Sequence, residues 1–382
     1  MMMDHLPSEI TTQIISFLPV KSVLQCRSVC KSWRNLIDDR RFAESHFTKS
    51  LQPAGNINDT PIITSFLFLP SYSNGNDDAF YVVDIDNEHT NTFFKTKKIK
   101  FSSCPPNFSY NLYDQFLYVD GLLCFSLQDG FFFCLCNPAT QDWVNLTYGR
   151  SSTQLGFGFG LDHTITKFKL AVVAYFPDGS GGCTTEAQVL TLGSNSWRDL
   201  KNVPQVMCSN SSATVQGSIH WLTHSNQMLS FRILLFNLAY ENFLFLELPK
   251  CYLEAEVDVN GFHMLNFGGD LSVVDFSNND RVEIWVMKEY GVKESWTRLT
   301  IIKSAEYIQL FPISPWKDGE ILLLVESKKL VSYNFESGRY TLFQVNGLPG
   351  NNDLDNVKKP YFYDAYLYVG NLLSVQPTDY SN

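Results

Sequence analysis

The sequence predicts a mainly β protein: a small N-terminal α domain, then a large domain that reads as a β-propeller of six or seven degenerate blades. Three observations carry this. Apolar residues fall at helical spacing in the first fifty residues, and no convincing long helix follows them. Strand-like runs then recur from Ile62 to Val375, separated by Asn-, Asp-, Gly- and Ser-rich clusters. Along that region a strand, a polar turn and an aromatic residue repeat every 44 to 54 residues. The boundaries read from these signals are 1–48 for the helical domain, 49–61 for a polar linker, 62–376 for the propeller and 377–382 for a tail.

Ile10, Ile14, Phe17 and Leu18 form an i, i+4, i+7, i+8 stripe, the mark of an amphipathic helix. Pro7 suits the first turn, where its missing N–H costs nothing. Glu9 suits the positive end of the helix dipole, and Pro19 stops the helix. A second short run carries Val20, Val23 and Leu24, and a third carries Val29, Trp33, Leu36 and Ile37; Phe42 and Phe47 close the segment. Three short helices bury too little surface to hide all their apolar residues. Some faces are therefore expected to stay exposed, as partner sites do. A small adhesive helical piece leading a large β body suggests an adaptor.

In the body, the repeat units are VVDIDNEHTNTFF, FCLCNPATQDW, VLTLGSNSW, LLFNLAYENF, WVMKEYGVKESW and LVSYNFESGRY. Their aromatics are Phe94, Trp143, Trp197, Phe243, Trp296 and Tyr340, and Gly121, Gly217, Gly269 and Gly319 recur ahead of other strands. A period near 50 with glycine and aromatic markers is the signature of kelch-type blades, which bury their faces only by stacking in a ring. Ala365–Val375 is a late strand suited to completing the first blade. A pair of β-sandwiches is the competing architecture. Asn237 and Glu241-Asn242 divide the Leu/Phe-rich stretch 229–248 into two strands, and the glycines of Gly156-Phe157-Gly158-Phe159-Gly160 suit close blade packing.

Composition narrows the function. The chain carries a net charge of −10, and the segment from Asp4 to Lys49, with seven basic and five acidic residues, is +2. The remainder is thus −12, which argues against nucleic acid and against anionic membranes. No run approaches the length of a membrane span and no signal core opens the chain. Nine cysteines without a framework fit reduced thiols in the cytoplasm or nucleus, so the sequons at Asn58, Asn107, Asn145 and Asn210 read as chance. His220 and His224 stand at the spacing of a helical zinc pair, but GSIHWLT is strand-like and would hold them about 13 Å apart. Cys134 and Cys136 read as core thiols. No metal, cofactor or catalytic residue is expected.

At the N-terminus, L-P-x-E-I at Leu6–Ile10, I-I-x-x-L-P-V-K-S-V at Ile14–Val23 and V-C-K-S-W at Val29–Trp33 resemble an F-box. The resemblance implies docking onto a Skp1-type subunit of a cullin–RING ubiquitin ligase. The contacts it implies are Leu6, Pro7, Ile10, Ile14, Leu18, Pro19, Val20, Leu24, Val29, Cys30 and Trp33. DGLLCF, LCNPATQDW, GFGFGLD, SWRDL, GSIHWLT, EIWVMKEYGVKESWTRL and KDGEILLL resemble, in order, the F-box-associated domain of plant F-box proteins, a group with S-locus-type pollen proteins and regulators of defence receptors. That implies a substrate-recruiting ligase subunit whose substrate is a protein of unknown identity. The alternatives are a ligand-sensing propeller whose F-box serves a non-degradative role, and, least favoured, an enzyme. Candidate target loops are Ser71–Asp78, Phe176–Thr185 and Leu348–Lys359. The two halves are expected to be separable.

Overall fold

The computed structural model describes residues 7–51, 65–70, 79–85, 93–100, 116–127, 132–150, 154–177, 183–194, 196–225, 228–252, 261–348 and 363–376. It opens with four helices: α1 (Ser8–Ser16), α2 (Val20–Cys26), α3 (Lys31–Ile37) and α4 (Arg40–Ser50). The sequence reading has three. The fourth is capped by Asp39, whose carboxylate accepts from the Arg41 N–H at 2.7 Å, and it buries Phe42, Ala43, His46 and Phe47 on one face. Only three of those four are apolar, so the stripe is too sparse to stand out from sequence. Because α4 runs through Ser50, the first two residues of the expected linker are helical; residues 52–64 and the tail 377–382 lie outside the described residues. Beyond α4 the described helical elements are three-residue 3-10 turns, such as Lys250–Tyr252.

The rest is a propeller of six antiparallel blades. β1 (Ser65–Pro70), β2 (Ala79–Ile85) and β3 (Phe93–Lys100) begin blade 1. Blade 2 is β4 (Phe116–Val119), β5 (Leu122–Leu127), β6 (Phe132–Asn137) and β7 (Asp142–Thr147). Blade 3 is β8 (Gln154–Asp162), β9 (Lys167–Pro177), β10 (Cys183–Thr191) and β11 (Arg198–Asp199). Blade 4 is β12 (Met207–Val215), β13 (Ser218–Ser225), β14 (Met228–Asn237) and β15 (Asn242–Leu246). Blade 5 is β16 (Phe262–Phe267), β17 (Asp270–Asp275), β18 (Arg281–Met287) and β19 (Trp296–Ile302). Blade 6 is β20 (Leu310–Pro315), β21 (Glu320–Val325), β22 (Lys329–Asn334) and β23 (Arg339–Leu342). The chain then returns to blade 1: β24 (Gln344–Asn346) pairs with β3 in parallel, and β25 (Tyr363–Leu367) pairs with β1.

The first strands of blades 2 to 6 and the returning β25 stand side by side around the axis. Tyr366 on β25 donates its hydroxyl to the Phe116 carbonyl on β4 at 3.1 Å, which closes the circle. Ring closure by the C-terminal strand thus follows the expectation, but the strand ends at Leu367 and not at Val375.

The apolar cores lie between blades, one for each of the six seams. Middle strands such as β21 bury nearly every residue, whereas the outer β15 and β23 are half-exposed. β8 shows how the seams differ. Its Phe157 and Phe159 enter the core shared with blade 2. Gly156, Gly158 and Gly160 on its other face let blade 4 come close: a Cβ at Gly158 would collide with Ile219, and one at Gly156 would lie 2.6 Å from the Cys208 Cβ.

The sequence markers have structural jobs. All six aromatics fall on, or one residue ahead of, the fourth strand of a blade, with β3 taking that place in blade 1. Gly121, Gly217, Gly269 and Gly319 sit in the turn between the first and second strands, each with positive φ. The turns ahead of the outer strands share a second device. Asn137, Asn237 and Asn334 each accept turn N–H groups through the side-chain carbonyl, and Gln141, Glu241 and Gly338 close those turns at positive φ.

Candidate functional site

The helical domain is held by a thin core of Ile15, Val23, Ile37, Phe42 and Ala43, with Leu18, Val20, Leu24, Trp33 and Leu36 packed around it. In α1 the buried residue is Ile15, 1% exposed, with Ser16 beside it. The stripe expected from sequence points the other way: Ile10, Ile14 and Phe17 are 44%, 51% and 71% exposed. One helical face carries all three, because steps of four and three residues return to nearly the same angle. Full burial of such a side chain is worth about 1.5–3 kcal/mol, and these three, about half to three-quarters exposed, forgo roughly that fraction of it. A domain that keeps them exposed gains that energy only from a partner.

The structure divides the eleven residues implied by the resemblance. Pro7, Ile10, Ile14, Pro19 and Val29 are exposed, with Val29 on the α2–α3 connection. Leu18, Val20, Leu24 and Trp33 are half-buried against the helical core. Cys30 is half-buried as the residue preceding α3. Leu6 lies outside the described residues. Phe17 belonged to the expected stripe but not to the implied contacts. It is the most exposed of the stripe, and its ring lies 4.8 Å below the Lys49 ammonium.

Polar contacts fix the display. Arg27 grips Asp38 through Nε at 2.6 Å and Nη2 at 3.1 Å, and this bond raises the already high Arg27 pKa. The Lys49 ammonium donates to Ser16 Oγ at 2.7 Å, and His46 Nε2 lies 2.9 Å from the Leu18 carbonyl, to which it donates. These bonds tie α4 to the end of α1. Between α1, α3 and α4 lies an open cleft of about 390 Å³ with Glu9, Gln13 and Arg41 on its walls.

The helical domain is seated on the ring. Phe47 enters the core between blades 2 and 3, its ring 5.8 Å from that of Phe168. Lys21 pairs with Asp84 at the end of β2 at 2.6 Å. The contacts fall on one face of the propeller, where first strands turn into second strands and third strands end. The strand ends Val325 and Lys329, which flank a turn between a second and a third strand, lie on the opposite face. So do Pro70 and Ala79, and Pro177 and Cys183. The residues they flank, 71–78 and 178–182, belong to two of the candidate target loops and lie outside the described residues, as do 349–359 of the third.

The remaining motifs have positive structural roles. His220 and His224 are both on the strand β13, and His220 is engaged by the Ala213 carbonyl at Nδ1 and the Tyr290 hydroxyl at Nε2. Cys134 and Cys136 are buried in the core between blades 1 and 2. Among the described residues no helix is long and apolar enough to cross a membrane.

Known proteins match both parts. The F-box associated beta propeller domain family matches residues 68–364, and the F-box-like family matches residues 3–48. An Arabidopsis thaliana F-box protein, At3g07870, is 28% identical over 91% of this chain and 89% of its own length. F-box protein CPR1 of the same plant is 24% identical over 97% of this chain and 89% of its own. The A. thaliana F-box/kelch-repeat protein At3g23880 is 26% identical over 91% and 93%. Four helices, the first with an exposed apolar stripe, and a closed six-bladed ring, matched along nearly their whole length, place the chain in the family of plant F-box proteins with a C-terminal F-box-associated β-propeller.

Proposed function

We propose that this chain is the substrate-recruiting subunit of an SCF-type ubiquitin ligase. The helical domain docks on a Skp1-type subunit through Leu6, Pro7, Ile10, Ile14, Leu18, Pro19, Val20, Leu24, Val29, Cys30 and Trp33, with Phe17 added. Cullin and RING subunits follow through that partner, and the propeller holds a protein target. Ubiquitin transfer happens on the other subunits; this chain contributes proximity, which replaces a bimolecular encounter by a tethered one. The target is held at the face away from the helices, where the strands flanking 71–78 and 178–182 end. The setting is cytoplasm or nucleus.

The observation that carries the reading is the stripe of Ile10, Ile14 and Phe17, exposed on a domain that matches the F-box-like family. The test is the pair Ile10→Asp and Ile14→Asp in the full chain. Both side chains project into solvent, so the fold is spared, while charge placed in an apolar groove opposes docking. Skp1 co-purification should vanish with the melting temperature unchanged. Undiminished Skp1 capture by the double variant would refute the assignment.

A further inference from the structure

One continuous segment near the C-terminus serves both domains. Tyr363–Leu367 is the innermost strand of blade 1 and closes the ring. The residues after it cross the face on which the helices sit. The Asn371 amide, on a residue 2% exposed, donates to the Asp120 carbonyl at 2.6 Å. The buried Asn137 donates to the Asn371 side-chain oxygen at 2.8 Å and to the Leu373 carbonyl at 2.7 Å. Gly121 leaves no room for a Cβ here, since one would lie 2.6 Å from the Asn371 amide nitrogen. Leu372, 7% exposed, then enters the helical core with Ile15, Val23, Ile37, Phe42 and Ala43. Leu373 and Val375 turn back into the core between blades 2 and 3, where Phe47 of α4 also lies. Neighbouring residues 372 and 373 thus belong to two different cores.

We propose that the segment 368–376 is a strap that completes the F-box, so that its docking face is ordered only when the ring is closed. The helical domain alone buries few apolar side chains, and a chain of that size is marginal without help. Leu372 is the piece it lacks, and that piece is anchored by β25 and the Asn137–Asn371 pair before it and by the bond from Asn137 to the Leu373 carbonyl after it. A chain with an open blade 1 withdraws Leu372 and presents a loosened stripe. Ligase docking is then conditional on an intact target-binding ring. The consequence for docking rests on the Skp1 reading above; the coupling itself does not.

Amide hydrogen exchange of the full chain, without any partner, tests the coupling, and calorimetric titration with Skp1 tests its consequence. Leu372→Ala leaves a hole in the helical core without touching the ring. Exchange in 20–47 should rise at least about tenfold, the factor that about 1.4 kcal/mol produces, with blades 4 to 6 still protected. Asp364→Pro removes a ladder donor from β25, since Asp364 opposite Leu69 falls in the same alternating set of hydrogen-bonded pairs as Tyr368, whose N–H donates to the Ser65 carbonyl, and it should produce the same rise in the helices with Leu372 intact. Skp1 affinity should fall with both. Unchanged helix exchange in Leu372→Ala would overturn the proposal, whether or not Asp364→Pro folds. A wild-type chain that fails to bind Skp1 while Leu372→Ala still loosens the helices would sink the docking reading and leave the coupling standing.

Discussion

The indole N–H of Trp296, the residue that opens the outer strand of blade 5, donates to the carbonyl of Glu247 just past the outer strand of blade 4, at 3.1 Å. Trp197 makes the same bond to Thr147 at 2.8 Å, two seams earlier in the ring, and the Tyr340 hydroxyl makes it to Ile302 at 2.6 Å, one seam later. In blades 3, 5 and 6 the periodic aromatic is therefore a rivet: it covers the seam with its ring and caps the preceding blade with its donor. Trp296→Phe keeps the ring and loses the donor, and should cost about 1 kcal/mol in urea unfolding. Tyr340→Phe should cost a similar amount, and the two losses should add, since different seams are involved.

Lys169, 4% exposed, joins blades 3 and 4. Its ammonium lies 2.8 Å from Asp162, 2.8 Å from Glu241 and 2.6 Å from the Leu238 carbonyl. Lys169→Ala should cost about 3–5 kcal/mol, because Asp162 is left buried and uncompensated. Lys169→Met with Asp162→Asn, which removes both charges, should cost less. Denaturation at neutral pH compares them.

The same network sets an acid limit. Burial pushes the Asp162 carboxyl up, but bonds from Lys169 and Thr164 outweigh it and hold it below its ordinary 3.8. The Arg198 guanidinium first, then Lys169, holds Glu241 below its ordinary 4.5. Depressed carboxylates stabilise the fold above their unfolded values and lose that contribution as pH falls through the folded ones. Stability should therefore drop below about pH 4.5, and the drop should be shallower in Lys169→Met/Asp162→Asn.

His220 acts at higher pH. Burial lowers its pKa from 6.5 to about 4, and the neutral ring donates from Nδ1 to Ala213 and accepts at Nε2 from Tyr290, at 3.1 and 2.8 Å. Between those pH values the unfolded chain binds the proton and the folded chain does not, so stability rises with pH across the window. The span corresponds to roughly 3 kcal/mol. His220→Gln should flatten the slope between pH 4 and 6.5; an unchanged slope would remove His220 as its source.

At Gly158 the obstacle is steric. A methyl there meets Ile219 and Trp221 across the seam between blades 3 and 4. Gly158→Ala should destabilise by about 1–3 kcal/mol. Gly261→Ala, where a Cβ meets Ser277 at an ordinary 3.5 Å, should stay within about 0.5 kcal/mol.

Much of the molecule was legible in the chain because it rests on local rules. Helical spacing, the prolines at 7 and 19, and turn glycines such as Gly121 each act within a few residues, so the α domain, the strands and their repeat could be read in order. The aromatic period marked one strand per blade, because each outer strand occupies the equivalent place in its own blade. What the sequence left open was decided by contacts between distant segments. Six blades rather than seven follows from the approach of β25 to β4, and α4 is stable because Phe47 finds Phe168. Local periodicity picked out the stripe of Ile10, Ile14 and Phe17 but could not tell whether it faced inward. Only the folded chain, with Ile15 turned in and Leu372 supplied from the far end, settles that it faces water.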